Sequence, residues 1–362
     1  MTLEKPEPAD KRYKFFGALR LVLALLVVAS HSSSLGGVAW DALLKPWELG
    51  NVAVMVFFVL SGYIIAEALS EFYTGRVGDF LVNRALRILP PYFAALLLSV
   101  AIHLWLSGRG AMVFFDYTAI PDGIFSLKNY AANALSIVAL YGLGHVNLTP
   151  DYPFVRYFWA VRTEIHFYLV YGFLLWIAYK CGARHRAVLP VAFVAIAALA
   201  VLATVTGWSF LNYFCFASYF MVGVALYSWT QAKTRIAATA LTLSSALAIW
   251  QFAQYIGKAG DVWVMGPLAL LIALAALIVP LSKTRTSSAL SAFDARLGDL
   301  SYPIYLNHYV VIIAALNMTA QRNMWVFALS MIACVAFSFL ASLLTEPFTA
   351  KIRDRIRGVK LR

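Results

Sequence analysis

The sequence predicts an all-α polytopic membrane protein with about ten transmembrane helices and both termini in the cytoplasm. Three observations predict it. Of 362 residues, 62% are hydrophobic and 13% charged, with a mean hydropathy of +0.76; a soluble domain carries about 25% charged residues. Ten apolar runs each approach the roughly 20 residues that cross a bilayer: 15–34, 50–69, 88–106, 159–179, 188–206, 210–228, 236–256, 262–280, 299–316 and 324–345. Most of the 29 Lys and Arg residues cluster in alternate connecting segments, around Lys11, Arg76, Arg184, Arg235 and Arg285 and in the C-terminal tail. A cytoplasmic N-terminus places all of these inside, as positive-inside bias requires. That distribution assigns the net charge of +12 to the membrane surface and not to nucleic acid.

The first run follows a polar N-terminal tail, residues 1–14, and lacks a small-residue cleavage pattern, so it is expected to remain as a helix. It carries Arg20 and His31. Ionisable groups inside a span are costly and point to function. Eleven residues at 100° each amount to three turns plus about 20°, so the two side chains share a face, separated by roughly 16 Å along the axis. Next, Arg84 and Arg87 stand three apart at the start of the third span, where neighbouring guanidinium groups suit bidentate phosphate recognition. Pro90 and Pro91 are expected to break the path there and begin that span.

Residues 107–158 form a long outer segment. Within it, the apolar stretch 130–143 is too short to span and is expected to lie as an interfacial or re-entrant helix. The fourth span then enters with WAVRTEIHFYL, residues 159–169. Glu164 falls about a turn and a half into it, at an expected depth similar to His31. Arg162 and His166, two residues away on either side, do not face Glu164, so its partner should come from another helix, with His31 the first choice. LGDLSYPIYLNHYVV, residues 297–311, reads as a polar helix start with a second intramembrane imidazole, His308, and with Ser301, Tyr302, Tyr305 and Asn307 placed to join helices or line a cavity.

Four ordered blocks together resemble the acyltransferase-3 family of integral membrane acyltransferases: Arg20-x10-His31, VFFVLSGYII (56–65) leading to RALRILPPYF (84–93), WAVRTEIHFYL, and LGDLSYPIYLNHYVV. TEPF, residues 345–348, resembles the family's ending. The resemblance implies a single membrane domain, 15–345, followed by a basic cytoplasmic tail, 346–362. It implies transfer of an acyl group, usually acetyl, from cytoplasmic acyl-CoA to a hydroxyl of an extracytoplasmic glycan or lipid-linked saccharide, in a bacterial inner membrane. On that basis His31 and Glu164 would be catalytic, Arg20, Arg84 and Arg87 would bind acetyl-CoA, and Arg162, Tyr302 and His308 would face the acceptor. Direct transfer and an acyl-histidine intermediate both fit. Met55, Ile165 and Arg162 depart from the residues usual in the family, on the acceptor side.

No histidine or cysteine spacing matches a metal site, and Cys181, Cys215 and Cys334 stand apart from one another. The alternative is a proton- or anion-coupled transporter using Arg20, His31, Glu164 and His308 as a path. The repeats and paired broken helices that would favour a transporter are not found in the sequence.

Overall fold

The computed structural model describes residues 14–109, 123–138, 150–181, 194–199, 201–202, 205–206, 215–257 and 264–358. Among them every regular element is helical. In chain order these are α1 (Gly17–Ser32), α2 (Val38–Leu44), α3 (Leu49–Glu67, widening into a π turn Ala68–Phe72), α4 (Val77–Ser107), α5 (Leu127–Ser136) and α6 (Trp159–Lys180). After them come α7 (Ala217–Gln231), α8 (Arg235–Gly257), α9 (Met265–Ala276), α10 (Ile278–Lys283), α11 (Ser288–Met318), α12 (Met324–Leu343) and α13 (Glu346–Arg357).

Six helical stretches among the described residues are long and apolar enough to cross a membrane: Gly17–Gly36, Val38–Phe72, Val77–Ser107, Arg235–Ile256, Met265–Lys283 and Met324–Leu343. Residues 194–199 of the expected fifth span are helical, and much of the rest of that span lies outside the described residues, as does the start of the sixth. The fourth and ninth expected spans correspond to α6 and α11, which carry charged residues and many tyrosines and so are less apolar. Much of α11 is nevertheless packed inside the bundle, with every residue from Pro303 to Ile313 buried.

α3 is apolar all round and sits at the centre, enclosed by α1, α7 and α9. Its contact with α7 is a backbone contact: a Cβ at Gly62 would lie 2.0 Å from the Phe220 carbonyl oxygen, and one at Gly223 would lie 1.9 Å from that of Val59. Small residues let membrane helices approach this closely. α12 lies at the rim and turns Leu329, Ile332 and Phe339 outward, as a lipid-facing helix does.

α1 and α11 are joined at one end by a carboxylate. Asp294, fully buried, accepts the backbone N–H groups of Gly17 and Ala18 at 2.6 Å each. These are two of the donors a helix start leaves open, and the helix dipole favours a negative charge there. Gly17 is required for this approach, since a Cβ would lie 1.6 Å from the Asp294 carbonyl oxygen. Asp294→Ala is expected to cost about 2–3 kcal/mol, read as a lower thermal midpoint of the detergent-solubilised protein. An unchanged midpoint would mean that the cap carries no stability.

The same face holds the C-terminal helix. Asn83 donates to the Arg353 carbonyl at 2.8 Å and Arg76 to that of Ile356 at 2.8 Å, fastening α13 against the start of α4. Lys14 pairs with Glu67 at 3.6 Å. The beginnings of α1, α4 and α11, the end of α3 and the C-terminal helix thus share one basic face.

Two helix boundaries differ from those expected. Pro90 and Pro91 lie inside α4, which runs unbroken from Val77 to Ser107. Each proline removes one intrahelical bond, but in a membrane neighbouring helices can supply the missing donors. The carbonyls left without their intrahelical donors are those of Leu86 and Arg87, and beside them Tyr302 of α11 donates to the Ile88 carbonyl at 3.1 Å, bracing this turn against the bundle. α11 likewise starts at Ser288, where the Ser287 side chain caps it, and contains Pro303. The stretch 297–311 is therefore mid-helix and not a helix start. Within segment 107–158 a short helix does form, as α5, over 127–136; residues 139–143 of the expected stretch lie outside the described residues.

Candidate functional site

A cavity opens among α1, α3, α4, α6 and α11, with about 810 Å³ of non-protein space including its mouth. Three guanidinium groups line it: Arg20 from α1 and Arg84 and Arg87 from α4. The i, i+3 spacing read from the sequence turns the α4 pair to one side, and α1 brings Arg20 to meet them. The Arg84 guanidinium lies near the rings of Phe80 at 5.2 Å and Tyr168 at 5.6 Å, so its head is held by aromatic side chains. The rest of the wall is largely apolar and aromatic, including Phe57, Phe58, Ile64 and Tyr305.

Glu164 also lines this cavity, and its partners are hydroxyl groups: Ser61 of α3 and Tyr168 of its own helix both donate to it. Tyr168 stands four residues on, the spacing that puts two side chains on one helical face. Tyr302 lines the cavity beside Glu164, with its own hydroxyl turned to Ile88. Ser301 and Tyr305 line it too, while Asn307 turns back to the Pro303 carbonyl of its own helix.

His31 lies beyond the other end of this cavity, at a different level from Glu164. Its Nδ1 is 3.0 Å from His308 Nε2, and its ring stacks on Tyr157 with centroids 3.7 Å apart and planes 8° apart. The expected His31–Glu164 pair is corrected on this point, and α3 gives the reason. A Cβ on Gly50 of α3 would sit 3.6 Å from His31 Nε2, whereas Glu164 is bonded to Ser61, eleven residues further along that helix, a rise of roughly 16 Å. The depths differ because Tyr157, which marks the level of His31, precedes α6, while Glu164 lies inside it.

Along α3 the cavity is lined from Val54 to Ile64. Its upper limit is therefore four residues, about one turn or 6 Å, from Gly50 and His31. The arginines occupy one part of the cavity, and the histidine pair lies just past the other end. Tyr305 connects the two: it lines the cavity, its hydroxyl donates to the Tyr157 carbonyl at 2.5 Å, and its ring packs near His308.

Arg162 is directed away from this cavity. It is buried, lies over Phe158 at 4.8 Å and donates to the Ser136 carbonyl at 3.0 Å, which ties α6 to the end of α5. Asn129 and Asn133 of α5 complete that junction by bonding the backbone around Tyr152 and Phe154. His308 is likewise buried behind His31, at 1% exposure. Sequence reasoning missed Ser61, Tyr168 and Tyr157. Helical spacing from Glu164 marks Tyr168. Tyr157 lies in an irregular segment with no periodic signal.

The fold and this site define an integral membrane protein with a cation-lined cavity leading to a paired histidine. A family model described as "Acyltransferase domain" matches residues 13–343, and the chain belongs to this acyltransferase-3 family. It is similar to an O-acetyl transferase of Shigella phage Sf6, at 25% identity over 256 residues, which cover 68% of this chain and 71% of that protein. No solved structure matches it significantly. The protein is a membrane O-acyltransferase, and the transporter alternative is set aside.

Proposed function

We propose that this enzyme moves an acetyl group from cytoplasmic acetyl-CoA to a hydroxyl of an extracytoplasmic glycan or lipid-linked saccharide, in a bacterial inner membrane. The observation that carries this is the cavity itself, with three guanidinium groups in it and His31 about one helical turn beyond its other end. Coenzyme A has phosphates at one end and a thioester at the end of a long, thin arm. Arg20, Arg84 and Arg87 suit the phosphates, and the largely apolar and aromatic wall suits the arm. Glu164, held by Ser61 and Tyr168, is placed to accept an amide N–H of the pantetheine portion. The basic face that carries the arginines is assigned to the cytoplasm by positive-inside bias. The name of the phage relative favours acetyl as the group transferred.

At the far end His31 acts as general base. It takes the proton of the acceptor hydroxyl as that oxygen attacks the thioester carbonyl; the C–S bond then breaks and the thiolate recovers the proton from the imidazolium. Arg162 contributes by fixing the outer segment against α6, and Tyr302 by shaping the cavity wall.

Sealed membrane vesicles of both orientations, given labelled acetyl-CoA, test donor and sidedness together. Incorporation of label into membrane saccharide is expected only when acetyl-CoA is offered to the face bearing Arg76 and the C-terminal helix. Equal incorporation from the opposite face, or none from either, would refute the assignment.

A further inference from the structure

The histidine pair contains more information than the proximity of two rings. His308 Nδ1 lies 2.6 Å from the Tyr305 carbonyl oxygen, one turn back on α11. A carbonyl oxygen only accepts, so this nitrogen carries the hydrogen. At 1% exposure in the bundle interior the ring is held neutral, and its Nε2 is then an acceptor. That Nε2 faces His31 Nδ1 at 3.0 Å. His31 must therefore donate from Nδ1, which leaves the lone pair on its Nε2.

The direction of that lone pair is also set. Tyr157 stacks flat on the His31 ring and fixes its plane. Nε2 points toward α3, where Gly50 leaves the space that a side chain would take. Gly50 stands one turn from Val54, where the lining of the cavity ends. His31 is half-buried, unlike His308, and its Nε2 is the nitrogen of the pair that neither the His31–His308 contact nor the Tyr305 carbonyl engages.

We propose that His308 is a positioning residue that holds His31 in the tautomer with a free, basic Nε2, through a relay that starts at the Tyr305 backbone carbonyl. This reassigns His308 from acceptor binding to orientation of the base, and it rests on the reading of His31 as base given above. The arrangement does for His31 what a carboxylate does in other base pairs: it accepts the Nδ1 hydrogen and leaves the opposite nitrogen as the base. It needs no buried charge.

Three substitutions at one position separate this role from packing. A glutamine amide reaches the place of the histidine Nε2, an asparagine amide reaches only that of Nδ1, and leucine supplies neither. In the purified enzyme, His308→Gln is expected to keep kcat within about ten-fold of wild type. His308→Asn and His308→Leu are expected to lower it about 100-fold or more, as loss of a correctly presented general base does. KM for acetyl-CoA should be unchanged in all three, because the arginine-lined cavity is left intact. Equal loss in the glutamine and asparagine variants, a KM effect larger than the kcat effect, or full activity of the leucine variant would each overturn the relay. His31→Ala, assayed alongside, keeps the two claims apart: an active His31→Ala enzyme overturns the base itself, whereas an inactive one beside a fully active His308→Leu overturns only the positioning. If the leucine variant does not fold, the glutamine–asparagine comparison still decides.

Discussion

His31→Ala is expected to lower kcat for the proposed acetyl transfer by about 10³-fold, within the range that general base catalysis contributes, and to leave KM for acetyl-CoA close to its wild-type value. The separation of kcat from KM follows from the layout of the site. The arginine-lined cavity follows α3 from Val54 to Ile64, and His31 stands a turn beyond it, against Gly50. On the proposed mechanism, removing the imidazole takes away the proton acceptor and touches none of the three guanidinium groups. Because His31 is half-buried and stacks on Tyr157 rather than filling the core, the variant should reach the membrane at ordinary levels. Steady-state kinetics at matched enzyme concentration check this, and a rise in KM with unchanged kcat would place His31 in donor binding instead.

Arg84→Ala is expected to show the converse pattern. A hydrogen bond to a charged group is worth about 1.5–3 kcal/mol, so loss of one phosphate contact should raise KM for acetyl-CoA by roughly 10- to 100-fold. The kcat at saturating donor should change little. Lysine is a poor replacement, because the guanidinium plane lies over Phe80 and Tyr168 and its fork presents paired donors. Donor titration of the wild type, Arg84→Ala and Arg84→Lys checks the ordering, with lysine expected between the other two. Unchanged donor affinity in the alanine variant would remove the phosphate assignment from this end of the cavity.

The residues of the site were legible in the sequence to different degrees, and physical reasons separate them. Arg20, and Arg84 with Arg87, were each readable from local facts, a charge inside an apolar run and an i, i+3 pair beside one, but their grouping into one site came from the family resemblance. The face expected to be shared by Arg20 and His31 followed from helical rotation alone. The partner of Glu164 was not readable, because it depends on how α3 and α6 are shifted along their axes, and periodicity within one helix says nothing about axial offset between two. Arg162 shows the same limit. Its position near Glu164 suggested the acceptor side, but a residue two positions away on a helix points elsewhere, and here it meets the Ser136 carbonyl. The prolines of α4 misled because their local rule concerns a solvated helix, whereas this helix runs through a bundle in which Tyr302 of α11 braces the neighbouring carbonyl of Ile88. Asp294 gave no sequence signal as a cap, since the helix it caps begins 277 residues earlier.

The claim that these parts form one acetyl-transfer path is tested most directly by mass spectrometry of surface glycans and lipids. Host cells expressing the wild type are compared with cells expressing His31→Ala at equal membrane levels. An acetyl mass increment on a saccharide, present with the wild type and absent with the variant, is the predicted result, and it identifies the acceptor. An increment that persists in the variant, or none with either protein in the native host, would contradict it.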